Sequence, residues 1–226
     1  MQYKIIGQTV PVVEVTLNKG ETMYTQTGGM TYQTDGIEMK TNARGGIMKG
    51  IGRVFSGESL FMANYTAQKD GATVAFATTV PGNIIPIDLS QIPQGMILQK
   101  GAFLCAEDSV ETSVAFTKRF SAGLVGGEGF ILQKALGKGM IFLEVDGDII
   151  EKELMPGEVL KVDTGNVVAF EQSVSYEVEM VKGLGNIFLG GEGLFLTRLV
   201  GPGKVILQSQ NFGDFIGRIT PFISRK

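Results

Sequence analysis

Three glutamates stand at matching places in this chain, each behind a glycine and ahead of an apolar run. The segments are Ser56-Gly57-Glu58-Ser59-Leu60-Phe61, Gly126-Gly127-Glu128-Gly129-Phe130-Ile131 and Gly190-Gly191-Glu192-Gly193-Leu194-Phe195, with the glutamates 70 and 64 residues apart. Carboxylates are hard oxygen ligands, so Glu58, Glu128 and Glu192 repeated around one axis could gather Mg²⁺ or Ca²⁺. A carboxylate after a glycine also has a local use: it accepts backbone N–H bonds at a tight corner and fixes where the next strand begins. A metal site needs several oxygens converging on one point, which spacing does not supply, so the local use is the reading adopted. Gly57, Glu58, Gly127, Glu128, Gly191 and Glu192 are taken as structural turn residues, and no catalytic, cofactor-binding or metal-ligating residue is assigned.

Absences narrow the chemistry further. The 226 residues include no His, no Trp and one cysteine, Cys105. Imidazole proton relays are thereby excluded, with them Ser-His-Asp triads, Cys-His pairs and HExxH zinc sites. Cys105 follows Phe103-Leu104 without a basic neighbour to lower its pKa and reads as an inert buried thiol. The glycine-rich stretches 45–57 and 183–193 invite a phosphate cradle, but neither Gly-x-x-x-x-Gly-Lys-Ser/Thr nor Gly-x-Gly-x-x-Gly occurs. Nucleic acid is disfavoured by charge, since 20 Lys and Arg oppose 23 Asp and Glu, whereas such binding rests on neutralised phosphates. Lys118-Arg119-Phe120 and the terminal Arg225-Lys226 are read as solvated surface. Asn64-Tyr65-Thr66 has the letters of a glycosylation site, but no secretory signal is visible, and the expected location is the cytoplasm.

The elements that must position these residues are strands. Glycine is about twice its usual ~7% share, with 32 in the chain, while Pro is only 7, which describes a folded protein with many tight turns. Tyr176-Glu177-Val178-Glu179-Met180, Val13 to Leu17 and Ile37-Glu38-Met39-Lys40 alternate with period two, the mark of half-buried strands. Asp35-Gly36, Asp146-Gly147 and Asp70-Gly71 predict two-residue hairpins, because Asp-Gly tolerates positive φ. The one helical pattern is the tail, Asn211 to Ile219, where Phe212, Phe215, Ile216 and Ile219 share a face.

The glutamate mark belongs to a longer self-similarity. Gly82-Asn83-Ile84-Ile85 is echoed by Gly147-Asp148-Ile149-Ile150 and more faintly by Val12 to Leu17, and each copy leads to a turn at Lys19-Gly20-Glu21, Pro93-Gln94-Gly95 or Pro156-Gly157-Glu158. Beyond the glutamates, Lys69-Asp70-Gly71, Gly137-Lys138-Gly139 and Gly201-Pro202-Gly203 form a third mark. The expectation is an all-β chain of three tandem small β-sandwich or double-stranded β-helix-like repeats over 8–80, 81–146 and 147–210, with a short helix in the tail, 211–226. Units of ~65 residues bury too little surface alone, so they must share cores or pair edges. The two ends of such a row are complementary, which predicts a cyclic homo-oligomer.

The segment Gly50-Ile51-Gly52-Arg53-Val54-Phe55-Ser56-Gly57-Glu58-Ser59-Leu60-Phe61-Met62-Ala63-Asn64-Tyr65-Thr66-Ala67 resembles the signature of the "altered inheritance of mitochondria" family, and the likeness extends through the later Gly-Gly-Glu-Gly marks. The resemblance implies a fold like the tryptophan RNA-binding attenuation protein, with three β units per chain and three chains closing a nine-unit ring. It implies no catalytic residues. A mitochondrial member is associated with organelle biogenesis and inner-membrane organisation, a role not carried over to this chain. The functional expectation is a non-enzymatic, trimeric scaffold or binding ring, with an RNA- or small-ligand-binding ring as the alternative.

Overall fold

Extended backbone turns successive side chains to opposite faces, so an alternating run becomes a strand with one apolar side. The computed structural model describes residues 1–26, 28–42, 62–118, 130–180 and 195–223. Within them lie nineteen strands and one α-helix. The chain opens with β1 (Gln2–Ile6), β2 (Val12–Leu17), β3 (Thr22–Gln26), β4 (Met30–Gln33), β5 (Ile37–Asn42), β6 (Met62–Ala67) and β7 (Ala72–Ala77). It continues with β8 (Gly82–Asp88), β9 (Met96–Gln99), β10 (Phe103–Glu107), β11 (Val110–Lys118), β12 (Phe130–Gly137) and β13 (Met140–Asp146). Last come β14 (Ile149–Leu154), β15 (Val159–Asp163), β16 (Val167–Glu171), β17 (Ser175–Met180), β18 (Phe195–Val200), β19 (Gly203–Gln208) and α1 (Phe212–Ile219).

These strands form four antiparallel sheets, in the orders β1-β2-β7-β4, β5-β6-β3-β10-β13-β8, β11-β12-β9-β16-β19-β14 and β15-β18-β17. Strands β2–β7, β8–β13 and β14–β19 each pair first with sixth, sixth with third, second with fifth and fifth with fourth. The third–sixth pairs each carry a bulge, at Met30/Tyr32, Phe103/Cys105 and Val167/Ala169. The two six-stranded sheets arise because β3 pairs with β10 and β9 with β16, joining the second strand of one set to the third of the next.

The Asp-Gly turns are a correction. Gly36, Gly71 and Gly147 do take positive φ, at 92°, 75° and 72°. None of the three closes a hairpin, for β4 and β5, β6 and β7, and β13 and β14 lie in different sheets. The turn chemistry was legible in the letters; the pairing was not, because the chain crosses from one layer to the next at these corners.

Three apolar clusters fill the spaces between sheets. The first joins Val13, Val15 and Phe76 to Leu104, Cys105 and Phe142; the second joins Tyr24 and Met62 to Leu98, Ile141, Val168 and Ile206; the third joins Ile97 and Leu132 to Phe170, Val178 and Leu199. Strands between two clusters are covered on both faces. The residues Val167–Phe170 of β16 are all buried and read as an unbroken apolar run, whereas β2 alternates half-buried with buried. In α1, the Asn211 side chain caps the start by accepting from the Gly213 and Asp214 N–H groups. Its apolar residues Phe212, Phe215 and Ile219 are exposed.

Candidate functional site

Two features of the described chain offer something to a partner. The first is a pair of open edges. β4 ends the first sheet and β15 ends the fourth, so neither has a neighbour on one side among the described residues. The corresponding strands elsewhere, β10 and β16 on one hand and β3 and β9 on the other, are paired and buried. On the open strands Tyr32 is 40% and Val159 45% exposed. Lys161 of β15 reaches Glu179 of β17 at 2.8 Å on the uncovered face, and that ion pair holds the Glu179 carboxyl below its ordinary range.

The second feature is a cleft at the ends of the sixth strands. Glu144 of β13 accepts from the Thr79 N–H at 2.8 Å and from the Thr79 hydroxyl at 2.6 Å. Asp146, two residues on, accepts from the Phe212 N–H at 3.0 Å, tying the first turn of α1 to the cleft. Gln208 of β19 accepts from the Asp146 N–H at 3.0 Å and donates to the Gly165 carbonyl at 2.9 Å. These groups surround a cavity of about 310 Å³. A second cavity, of about 360 Å³, meets it at Thr79 and Glu144 and is walled by Thr25, Met30, Thr78 and Phe103. No Lys or Arg is among the described lining residues of either.

The electrostatics follow from that lining. Burial raises the Glu144 carboxyl above its ordinary value; the Thr79 hydrogen bonds draw it back, and the charge of Asp146 pushes it up. Burial likewise raises Asp146, against the pull of the Phe212 N–H. The Thr78 hydroxyl is buried without a hydrogen-bond partner, in a side chain only 5% exposed.

The residues singled out from sequence fare differently. Gly57, Glu58, Gly127, Glu128, Gly191 and Glu192 all lie outside the described residues, as do Arg119, Phe120 and the glycine-rich stretches. Cys105 is fully buried, and burial pushes its thiol well up. Asn64 is only 8% exposed, which removes its side chain from any glycosylating enzyme in the folded state. No group of three or more metal-ligating side chains occurs among the described residues, and no described helix is long and apolar enough to cross a membrane. Sequence reading missed Glu144 and Asp146 because Leu143-Glu144-Val145-Asp146 has the alternation of an ordinary solvated strand face.

With this geometry in hand, the match to known proteins is informative. The family model described as mitochondrial biogenesis AIM24 matches residues 3–210. The chain belongs to the AIM24 family. An uncharacterised protein of Streptococcus pyogenes serotype M6 is 28% identical over 221 residues, covering 94% of this chain and 87% of that protein. An X-ray structure of a Streptococcus pyogenes protein has a TM-score of 0.79 and 26% identity, over 98% of this chain and 99% of the other. The four-sheet, mostly β architecture is thus shared with a solved bacterial protein.

Proposed function

We propose that this AIM24 family member is a non-enzymatic, ring-forming scaffold of the cytoplasm, built of three tandem β units per chain and closed by three copies joined head to tail. The carrying observation is the repeated joint between units. At both internal joints a second strand pairs with a third strand in one register, Thr25 with Cys105 and Leu98 with Ala169. Thr25, Leu98 and Val162 all face the residue five places after the repeated glutamate, namely Ala63, Gln133 and Thr197. On the other side, Tyr32, Cys105 and Ala169 each follow the recurring bulge of their own unit. Transferring the internal joint to the open edges therefore sets Val162 opposite Tyr32 of the next copy, Lys161 opposite Gln33 and Leu160 opposite Thr34. Open edges are otherwise an aggregation hazard, and closure of a head-to-tail row pairs these two, β4 and β15, with each other. The choice of three copies is supported by the nine-unit ring that the family resemblance implies. The absence of His and the burial of Cys105 support a role without catalysis.

The test is a cross-link with sedimentation. Directly paired Cα atoms lie ~4.5–5.5 Å apart, inside the ~4.4–6.8 Å span of a disulfide. Tyr32→Cys combined with Val162→Cys is expected to give, on oxidation, a three-chain species that sediments as the wild type does. A wild-type monomer at micromolar concentration, with no interchain disulfide in the double variant, refutes the ring. The RNA-binding alternative is opposed by the formal charge of -3.

A further inference from the structure

Superposing the units by their pairings places Glu144 of β13 where Gln208 stands in β19, since Leu143 and Leu207 occupy matching positions beside the bulge. The two side chains do the same thing at one end: Glu144 accepts from the Thr79 N–H and Gln208 from the matching Asp146 N–H. They differ at the other end. Gln208 donates its amide to the Gly165 carbonyl at 2.9 Å. The residue matching Gly165 is Gly101, which lines the same cavity as Glu144. A carboxylate has no N–H to give, so Glu144 cannot repeat toward Gly101 the bond that Gln208 makes to Gly165.

From this mismatch we infer that the cleft binds a small aliphatic primary ammonium, its N–H donors taking the place of the Gln208 amide between Glu144 and Gly101. Two carboxylates, Glu144 and Asp146, face a cavity of about 310 Å³ with no Lys or Arg among its described walls. Their hydrogen bonds come only from neutral donors, Thr79 and the Phe212 N–H, so the charge of a half-buried carboxylate pair is left without a cation among the described walls, and an ammonium supplies both the charge and up to three N–H donors. Val80, Ala102 and Phe212 provide an apolar wall for the stem. An independent sign is Thr78, whose buried hydroxyl has no hydrogen-bond partner and which lines the adjoining cavity that also reaches Glu144. Met30 and Phe103 line that cavity as well, so the adjoining space also suits an aliphatic stem with a polar end. The site lies within one chain and does not rest on the ring.

The probe is 1,4-diaminobutane, titrated calorimetrically into the full chain at ~150 mM NaCl, where surface attraction is largely screened. Saturable binding is expected, with none by the neutral isostere 1,4-butanediol at the same concentrations. Glu144→Gln installs the amide already used at the matching position and is expected to stay folded while weakening diamine binding at least tenfold; Glu153→Gln, on the exposed face of β14, is expected to leave it unchanged. The inference is overturned by absent binding in the wild type, by equal binding of the diol, or by a Glu144→Gln affinity within twofold of wild type. Sedimentation of the same samples keeps this outcome separate from that of the ring.

Discussion

One position of the shared pairing pattern, occupied by Tyr24, Ile97 and Lys161 in the three sets of six strands that we propose are tandem units, gives a graded test of shared cores. Each residue sits in the second strand of its unit, on the side facing the next unit. Tyr24 is fully buried in the second cluster and Ile97 is 5% exposed in the third, whereas Lys161 faces no further unit within the chain. Truncating Ile97 to Ala removes a buried aliphatic side chain and leaves a cavity, a loss of about 2–5 kcal/mol. For a chain of this size each kcal/mol lowers Tm by about 2–4 °C, so a fall of roughly 5–15 °C is expected. Tyr24→Phe keeps the ring and deletes only the hydroxyl, which donates to the Val110 carbonyl at 3.1 Å. That change is expected to cost ~1 kcal/mol, one buried hydrogen bond. Lys161→Ala breaks only a solvent-exposed ion pair and is expected to leave stability nearly unchanged. Urea denaturation of dilute protein, below any association, reads all three. If Ile97→Ala costs less than about 1 kcal/mol, or Lys161→Ala matches it, the claim that units complete each other's cores is wrong.

Cys105 is expected to resist thiol reagents in the folded protein and to react stoichiometrically in urea, because it is fully buried with its thiol pushed well up; labelling followed by mass spectrometry decides it. Gly95→Ala is expected to destabilise by about 2 kcal/mol or more, because φ at Gly95 is +78° and an added Cβ would collide with the Ala135 carbonyl; thermal melting checks it. Glu144 has a folded-state pKa raised by burial, so its contribution favours folding at low pH and is lost as pH rises through that value. In amine-free buffer, Glu144→Gln is therefore expected to melt ~2–4 °C above wild type near neutral pH, the worth of about one net hydrogen bond, with the difference vanishing near pH 4.

The residues alone determined a good deal. Period-two alternation marked strands such as Val13–Leu17 and Tyr176–Met180, Asn211 announced the start of α1, and Asp-Gly pairs placed positive-φ corners at Gly36, Gly71 and Gly147. These are local properties, set by backbone sterics and by side chains within a few positions. The absence of His was likewise complete information about imidazole chemistry.

Tertiary structure decided which strands are neighbours. β6 and β7, separated only by the Asp70-Gly71 corner, belong to different sheets, while β3 finds β10 some eighty residues away. No local signal carries that choice, since backbone donors and acceptors are the same on every strand and only the packing of both faces selects a partner. The same holds for chemistry. Glu144 and Gln208 sit in similar polar positions of similar strands, and only the fold shows that Gln208 has a carbonyl to bond while Glu144 lines a cleft with no Lys or Arg among its described walls, because burial and partners are properties of the assembled layers rather than of the letters.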